Sequence, residues 1–171
     1  AGLAVTGMRA NRVAPAAGAG TAAVTLALAC AAAAPRPAGS APLLAGIAVT
    51  FRVDGLSAVM VVTVAVVTLA VLVFAAGEFG PGENRGRFFG LMLLFAGAML
   101  VTVTAATLPP LLMGWEAMGA TSYALIGYWW REPRRVRAAN IAFLTTRAAD
   151  LGLYVAAGAA MAGGAGSLAL S

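Results

Sequence analysis

The hydrophobic pattern consists of long apolar runs separated by short loops that hold most of the charged residues. Apolar runs of about 17–25 residues are typical of membrane-spanning helices. The pattern predicts an all-α membrane protein in which residues 1–171 form one transmembrane domain, a bundle of about four to five helices. The predicted spans cover residues 18–34, 55–77, 88–107, 110–130 and 138–162.

The segments between these runs predict loops and one short β-hairpin. Residues 46–53 are rich in β-branched side chains and end at the turn signal Asp54-Gly55, which favours a hairpin near 41–54, outside the bilayer. Residues 1–17 are expected to form a loop or a lead-in to the first helix. Pro109-Pro110 is expected to be a tight turn, and Arg131–Arg137 a loop.

Composition supports a membrane location and excludes several kinds of site. The chain is 61% hydrophobic and 10% charged, whereas soluble domains carry about 25% charged residues. Because there is no histidine and Cys30 is the single cysteine, a disulfide framework is excluded and a bound transition metal or haem is not expected. The net charge of +5 comes from arginines in short loops, a pattern typical of topology signals and lipid headgroup contacts, so no nucleic-acid partner is expected.

The distribution of arginine predicts an orientation for the bundle. Two arginines, Arg36 and Arg52, fall on one side if the spans alternate, and the other loop arginines fall on the opposite side. The positive-inside rule then places the arginine-rich loops in the cytoplasm of a multi-pass protein of the cell (inner) membrane. The arginines on that side are Arg9, Arg12, Arg85, Arg87, Arg131, Arg134, Arg135 and Arg137.

Glu116 is the first candidate site residue, because it is the one acid in the apolar stretch 111–130. Acids inside membrane helices are costly to bury, usually face protein or water, and usually serve a function. Burial favours the neutral acid and a nearby cation favours the carboxylate, so a movable cation would let Glu116 load and release a proton. The alternative is a structural glutamate that holds helices together. The same helical face contains Gly119, Ala120, Tyr123 and Gly127, and Trp115 is placed to shield the acid or to pack.

Arg147 and Asp150 form the second candidate site, near the middle of the last predicted span. Their i,i+3 spacing allows them to pair on one helical face. Asn140 and Tyr154 fall on nearly the same side and extend the polar stripe. The stripe predicts part of a hydrated proton path in which Arg147 tunes the acids. A self-neutralising ion pair that only supports packing is the alternative.

Four segments together resemble a known family. The segment 114–129, which opens with Gly114-Trp115-Glu116, resembles the signature of subunit L (chain 5) of respiratory complex I, the proton-translocating NADH:quinone oxidoreductase. The likeness covers roughly residues 45–168. The other matching segments, in order, are Asp54-Gly55-Leu56-Ser57, Arg87-Phe88-Phe89 and Thr146-Arg147-Ala148-Ala149-Asp150.

The resemblance implies an antiporter-like membrane subunit with many helices. In that family the glutamate matching Glu116 pairs with a lysine on a later, broken helix and takes part in proton translocation, and two charges of the sixth helix match Arg147 and Asp150. Ala117 and Ala149 stand where the family frequently has glycine. The chain contains no lysine and ends before the broken helices, so the likeness is to the N-terminal part of the subunit.

The resemblance also implies where the redox chemistry lies. No cofactor is expected in this chain, and NADH, FMN, iron–sulfur clusters and quinone are implied for partner subunits. The expected partners are the other membrane subunits of complex I and membrane lipids. The expected function is a part of a proton path. The alternatives are a subunit of a multisubunit cation/proton antiporter or membrane-bound hydrogenase, and a structural membrane fragment that translocates nothing.

Overall fold

The fold is a helical bundle with one small sheet. The structure, a computed structural model, describes residues 8–44, 47–80 and 83–163, and within them five helices and a two-stranded sheet. The predicted all-α fold with a hairpin is therefore confirmed. In chain order the elements are α1 (Met8–Ala33), β1 (Ala38–Leu44), β2 (Ile47–Arg52), α2 (Gly55–Glu78), α3 (Arg85–Thr104), α4 (Leu108–Ile126) and α5 (Pro133–Ala162).

Three of the helices in the described part of the chain are long and apolar enough to cross a membrane. These stretches are Asn11–Ala33, Gly55–Glu78 and Arg85–Thr104, and the second is the most hydrophobic, with a mean hydropathy of 2.9. The other two helices, α4 and α5, carry Glu116, Arg147 and Asp150. Because buried charges lower the hydropathy of a span, membrane crossing by α4 and α5 stays a prediction.

The first helix begins ten residues before the predicted span, so the expected loop or lead-in is helical from Met8. Pro15 lies inside this helix and removes one backbone hydrogen bond. Contacts with α3 hold the early turns in place. Asn11 accepts from the Gly86 backbone at 3.0 Å, Ala14 is fully buried, and Gly18 lies against the ring of Phe89. Tertiary packing thus compensates for the bond lost at Pro15.

Two predicted boundaries near α4 are wrong. Pro109 and Pro110 lie in the first turn of α4 rather than in a turn, because the first helical positions need no backbone N–H donor. The helix ends at Ile126 with Gly127 as its cap, so Trp130 lies beyond it.

The predicted arginine loop is also shorter than expected. Helix α5 begins at Pro133 rather than near residue 138, again with proline at a helix start. Its first turns therefore contain Arg134, Arg135 and Arg137, which the sequence placed in the loop. The Arg135 side chain donates to Glu132 at 2.6 Å, an exposed i,i+3 pair.

The β-hairpin closes one end of the bundle. Strands β1 and β2 pair antiparallel, and the turn between them lies outside the described residues. Strand β2 also attaches to the α3–α4 connection: Phe51 bridges to Ala105, and the Ala106 backbone donates to the Thr50 carbonyl at 2.8 Å. We call this the hairpin end. It fixes the position at which α4 begins.

Aromatic side chains close the opposite end. The Phe79 ring lies 4.4 Å from that of Phe88 and 5.7 Å from that of Tyr128, measured between centroids. The Tyr128 hydroxyl donates to the Asn84 carbonyl at 2.8 Å. Burial raises the pKa of the Tyr128 phenol above its ordinary value, which keeps the group a neutral donor. We call this the aromatic end, and it ties the end of α4 to the start of α3.

Close packing of α3 against α4 determines the position of α4, the helix that carries Glu116. Helix α3 packs against α1, α2 and α4, and α5 packs against α4. At the α3–α4 contact Gly114 is buried, and a Cβ placed there would meet Thr102 Oγ1 at 2.6 Å and the Ala98 carbonyl oxygen at 3.0 Å. Since these neighbours include backbone, a side chain at residue 114 would push the helices apart.

Gly114→Ala is expected to destabilise the protein by about 1–3 kcal/mol, because the added methyl group overpacks the α3–α4 contact. Gly97→Ala is the matched control, since a Cβ there meets nothing within 4 Å. The comparison is made by thermal unfolding of the detergent-solubilised protein, followed by circular dichroism. Equal stability of the two variants would show that the contact is not close.

The start of α2 predicts a pH dependence. The pKa of the Asp54 carboxyl lies below its usual value because it accepts from the Ser57 backbone N–H and then from the Ser57 hydroxyl. A lowered folded-state pKa means that the cap stabilises the fold above the unfolded-state pKa and is lost as pH falls through the folded-state pKa. Asp54→Asn should therefore lower the unfolding temperature near neutral pH and have no effect in strong acid. A difference that persists unchanged in strong acid would contradict this role of the carboxylate.

Candidate functional site

The three charges singled out in the sequence lie on two neighbouring helices at similar depth. Glu116 is eight residues from the start of α4, about 12 Å along its axis. Arg147 and Asp150 are near the middle of α5. Because α4 and α5 pack against each other, residues that the sequence treated as two sites meet at one interface.

Arg147 is the centre of this interface, because it contacts both acids. Its Nη1 donates to Glu116 Oε2, and its Nη2 lies 3.2 Å from Asp150 Oδ2. The second contact is an ion pair without hydrogen-bond geometry, since both atoms are without a hydrogen-bond partner among the described residues. The guanidinium also lies 5.3 Å from the centre of the Phe143 ring. One cation therefore serves two carboxylates.

The two acids differ in their surroundings. The Asp150 side chain is 6% exposed, whereas the Glu116 side chain is 42% exposed in this chain. Glu116 Oε1 is nevertheless buried and has no hydrogen-bond partner among the described residues. With both acids ionised the three groups carry a formal charge of −1. The cluster is thus one positive charge short of neutrality, a state in which an added proton balances the charge.

Trp115 completes the polar cluster by an interaction that the sequence did not indicate. Its indole Nε1 donates to Asp150 Oδ1 at 2.7 Å. The sequence predicted that Trp115 shields Glu116 or packs against a neighbour. In the structure its indole N–H instead donates to Asp150. Trp115 and Glu116 are consecutive on α4. Trp115 therefore contacts Asp150, while Glu116 beside it contacts Arg147.

Gly119 explains why Arg147 can lie so close to α4. An ideal Cβ at Gly119 would overlap Arg147 Nη2. Near the aromatic end, a Cβ at Gly127 would lie 3.5 Å from the Ala139 side chain, so α5 also approaches closely there. These two glycines belong to the small-residue face proposed from the sequence.

A cavity of about 250 Å³ lies beside the charged cluster, between α4 and α5. Tyr123 and Phe143 form part of its wall, with ring centroids 5.3 Å apart. Its polar lining includes Ser122, Thr146, Arg147 and Asp150. Ser122 lies on α4 and the other three polar residues lie on α5, so water in the cavity would have hydrogen-bond partners from both helices and would reach Asp150; Glu116 is not one of the lining residues.

Two residues of the polar stripe predicted on α5 are not part of the cluster. Asn140 is exposed and Tyr154 is 40% exposed, so the polar stripe expected along α5 divides. The α5 face that meets α4 instead follows Ala139, Phe143, Arg147 and Asp150. Among the described residues, no group of three or more His, Cys, Asp or Glu side chains is placed to hold a metal ion.

The contact between Arg147 and Glu116 could have been found from the sequence. Arg147 is the one basic residue within the five predicted spans. If Glu116 pairs with a cation from one of these spans, that cation is therefore Arg147. The contact between Trp115 and Asp150 carried no comparable signal, because it depends on the rotation of α4 about its axis.

Two family models match most of the chain. Residues 45–89 match the model described as NADH-ubiquinone oxidoreductase (complex I), chain 5 N-terminus. Residues 105–171 match the model described as NADH:quinone oxidoreductase/Mrp antiporter, TM. Glu116, Arg147 and Asp150 all fall within the second match.

The chain is also similar to subunits of two quinone oxidoreductases and of an F(420)H(2) dehydrogenase. The chain is 36% identical over 112 residues to NADH-quinone oxidoreductase subunit L of Mycobacterium tuberculosis, covering 64% of this chain and 18% of the relative. It is 37% identical to chloroplastic NAD(P)H-quinone oxidoreductase subunit 5 of Mesostigma viride, covering 64% and 17%. It is 37% identical to F(420)H(2) dehydrogenase subunit L of Methanosarcina mazei, covering 58% and 15%. The chain thus spans less than a fifth of the length of these relatives.

The close approach of Arg147 to Gly119 can be tested by substitution of the glycine. Gly119→Ala improves helix propensity by about 1 kcal/mol, but its methyl group displaces the guanidinium. We therefore expect the substitution to be less favourable for stability when Arg147 is present than when Arg147 is replaced by alanine. Thermal unfolding of the four combinations measures this, and the same effect in both backgrounds would place Arg147 elsewhere.

Proposed function

Because the chain belongs to the family of membrane subunits shared by complex I and Mrp-type antiporters, we propose that it forms part of a proton path in a proton-translocating NADH:quinone oxidoreductase. The observation that carries the proposal is Arg147 in contact with both Glu116 and Asp150. A cation shared by two carboxylates can change the proton affinity of either by a small movement.

The proton step takes place at Glu116. With Arg147 on Glu116 Oε2, the carboxylate is stabilised and holds no proton. When the guanidinium moves toward Asp150, Glu116 loses its counter-charge, and binding of a proton to Glu116 then makes the three-residue cluster neutral. Return of Arg147 expels that proton. Net transport requires that Glu116 takes up protons from one side of the membrane and releases them to the other. The assembled complex would supply this difference between the two sides.

The wider setting follows from the family. We place the chain in the cell (inner) membrane, with its arginine-rich loops in the cytoplasm and the hairpin end on the opposite side. The proposed partners are the other membrane subunits of complex I, with anionic lipids near the arginines and no nucleic acid. This chain would bind no cofactor, since NADH, FMN, iron–sulfur clusters and quinone belong to the partner subunits in this proposal.

A second candidate function is cation/proton exchange in a multisubunit antiporter. The description of the family model matched by residues 105–171 names Mrp antiporters beside the quinone oxidoreductases, which favours this candidate. The same three charges would serve, because exchange also requires a carboxylate that alternates between ionised and neutral forms. Proton movement that depends on NADH oxidation supports the first function, and movement driven by a sodium gradient alone supports the second.

Glu116→Gln in the assembled complex is expected to abolish most proton translocation by this subunit, since glutamine cannot bind and release a proton. Proton uptake into proteoliposomes during NADH oxidation gives the measurement. Glu132→Gln is the matched control, because Glu132 is exposed and forms an i,i+3 pair with Arg135 outside the charged cluster. Normal pumping by Glu116→Gln would refute the assigned role and leave the structural-fragment reading.

A further inference from the structure

Trp115 makes a polar contact that the proposed proton step does not use. Its indole nitrogen lies 2.7 Å from Asp150 Oδ1, within the hydrogen-bond range, and Asp150 is 5% exposed. The groups that face Asp150 are Arg147 from its own helix and Trp115 from α4, with Glu116 behind Arg147. Trp115 is therefore the direct link between α4 and the buried acid.

We propose that Trp115 is a positioning residue: its indole N–H holds the Asp150 carboxylate against α4 so that Arg147 stays shared between Asp150 and Glu116. This inference rests on the proposed proton path and assigns Trp115 no contact with the proton that moves. An indole nitrogen donates one hydrogen bond and accepts none, so it is a fixed anchor and cannot relay a proton.

The geometry shows why the anchor matters. Trp115 occupies Asp150 Oδ1, which leaves Oδ2 for Arg147 at 3.2 Å. Arginine and carboxylate prefer a two-pronged contact that uses both oxygens. Without the indole donor, Asp150 would be free to turn both oxygens to Arg147 and draw the guanidinium off Glu116. The indole hydrogen bond thus limits the contact between Asp150 and Arg147, so that Arg147 also stays in contact with Glu116.

Adjacency in the chain strengthens this role. Trp115 and Glu116 leave the same turn of α4, so a movement of α5 relative to α4 shifts both attachments together. The Trp115–Asp150 bond and the Glu116–Arg147 pair are then two anchors across one helix interface. The Trp115-Glu116 dipeptide therefore couples the relative position of α4 and α5 to whether Arg147 lies closer to Glu116 or to Asp150.

Trp115→Phe tests the role in the assembled complex, because phenylalanine keeps an aromatic ring and removes the N–H donor. Proton translocation during NADH oxidation should fall about tenfold, the order expected from loss of a hydrogen bond to a charged group. Trp130→Phe is the matched control, since Trp130 is 61% exposed and lies outside the cluster; we expect its rate to equal that of the wild type.

A double-mutant cycle separates positioning from packing. If Trp115 acts through Asp150, Trp115→Phe should cause no further loss in a background that already carries Asp150→Ala. The same fold-loss in both backgrounds would make Trp115 a packing residue and overturn the proposal.

A spectroscopic readout remains informative if Trp115→Phe fails to assemble. Ultraviolet resonance Raman spectra report hydrogen bonding of the indole N–H, and Trp129→Phe with Trp130→Phe leaves Trp115 as the one tryptophan in the chain. Asp150→Ala should shift that band toward a weaker hydrogen bond, and an unchanged band would overturn the proposal. A shifted band together with normal pumping by Glu116→Gln would uphold the contact and overturn the proton path on which its role rests.

Discussion

A carboxylate placed between packed helices is stabilised by a counter-charge, and in this protein one guanidinium supplies it to two acids. Arg147 contacts Glu116 and Asp150 from the middle of α5, and Asp150 is further satisfied by Trp115. Because the Asp150 side chain is 6% exposed, removal of its counter-charge would leave a buried charge unpaired, which is strongly destabilising. The arrangement therefore holds the helices together and also stores an imbalance of one charge, which a proton can neutralise. Structural and functional readings of these charges are compatible, because the same pairing serves both.

The rest of the fold places α4 so that this pairing can form. The hairpin fixes the start of α4 through the α3–α4 connection, and the aromatic end fixes its end through Tyr128. Between them, Gly114 lets α3 approach from one side and Gly119 leaves room for Arg147 from the other. A helix held at both ends and closely packed along α3 cannot easily rotate, so Glu116 and Trp115 keep their directions toward α5.

The sequence predicted most of the architecture, because hydrophobic runs and turn signals are local features. It located five helices and the hairpin, and the family matches confirm the resemblance carried by Gly114-Trp115-Glu116. Boundaries failed at Pro15, where contacts with α3 override the local preference, and at Pro109 and Pro110, where the first turn of α4 tolerates proline. The three charged site residues were identified, and the single basic residue in the predicted spans already pointed to a contact between Arg147 and Glu116. The contact between Trp115 and Asp150 was not predictable, since it depends on the rotation of α4 against α5. Asn140 and Tyr154 share a helical face with the charges on a helical wheel, yet they lie outside the interface because the neighbouring helix does not cover them.

The central claim is that Glu116 changes its protonation state as its contact with Arg147 is made and broken. Infrared difference spectroscopy of the assembled complex during turnover measures this directly, with Glu116→Gln used to assign the carboxyl band. We predict a protonated-carboxyl band that appears during turnover, is absent at rest and is missing from the variant. A Glu116 band that stays the same at rest and throughout turnover would contradict the claim.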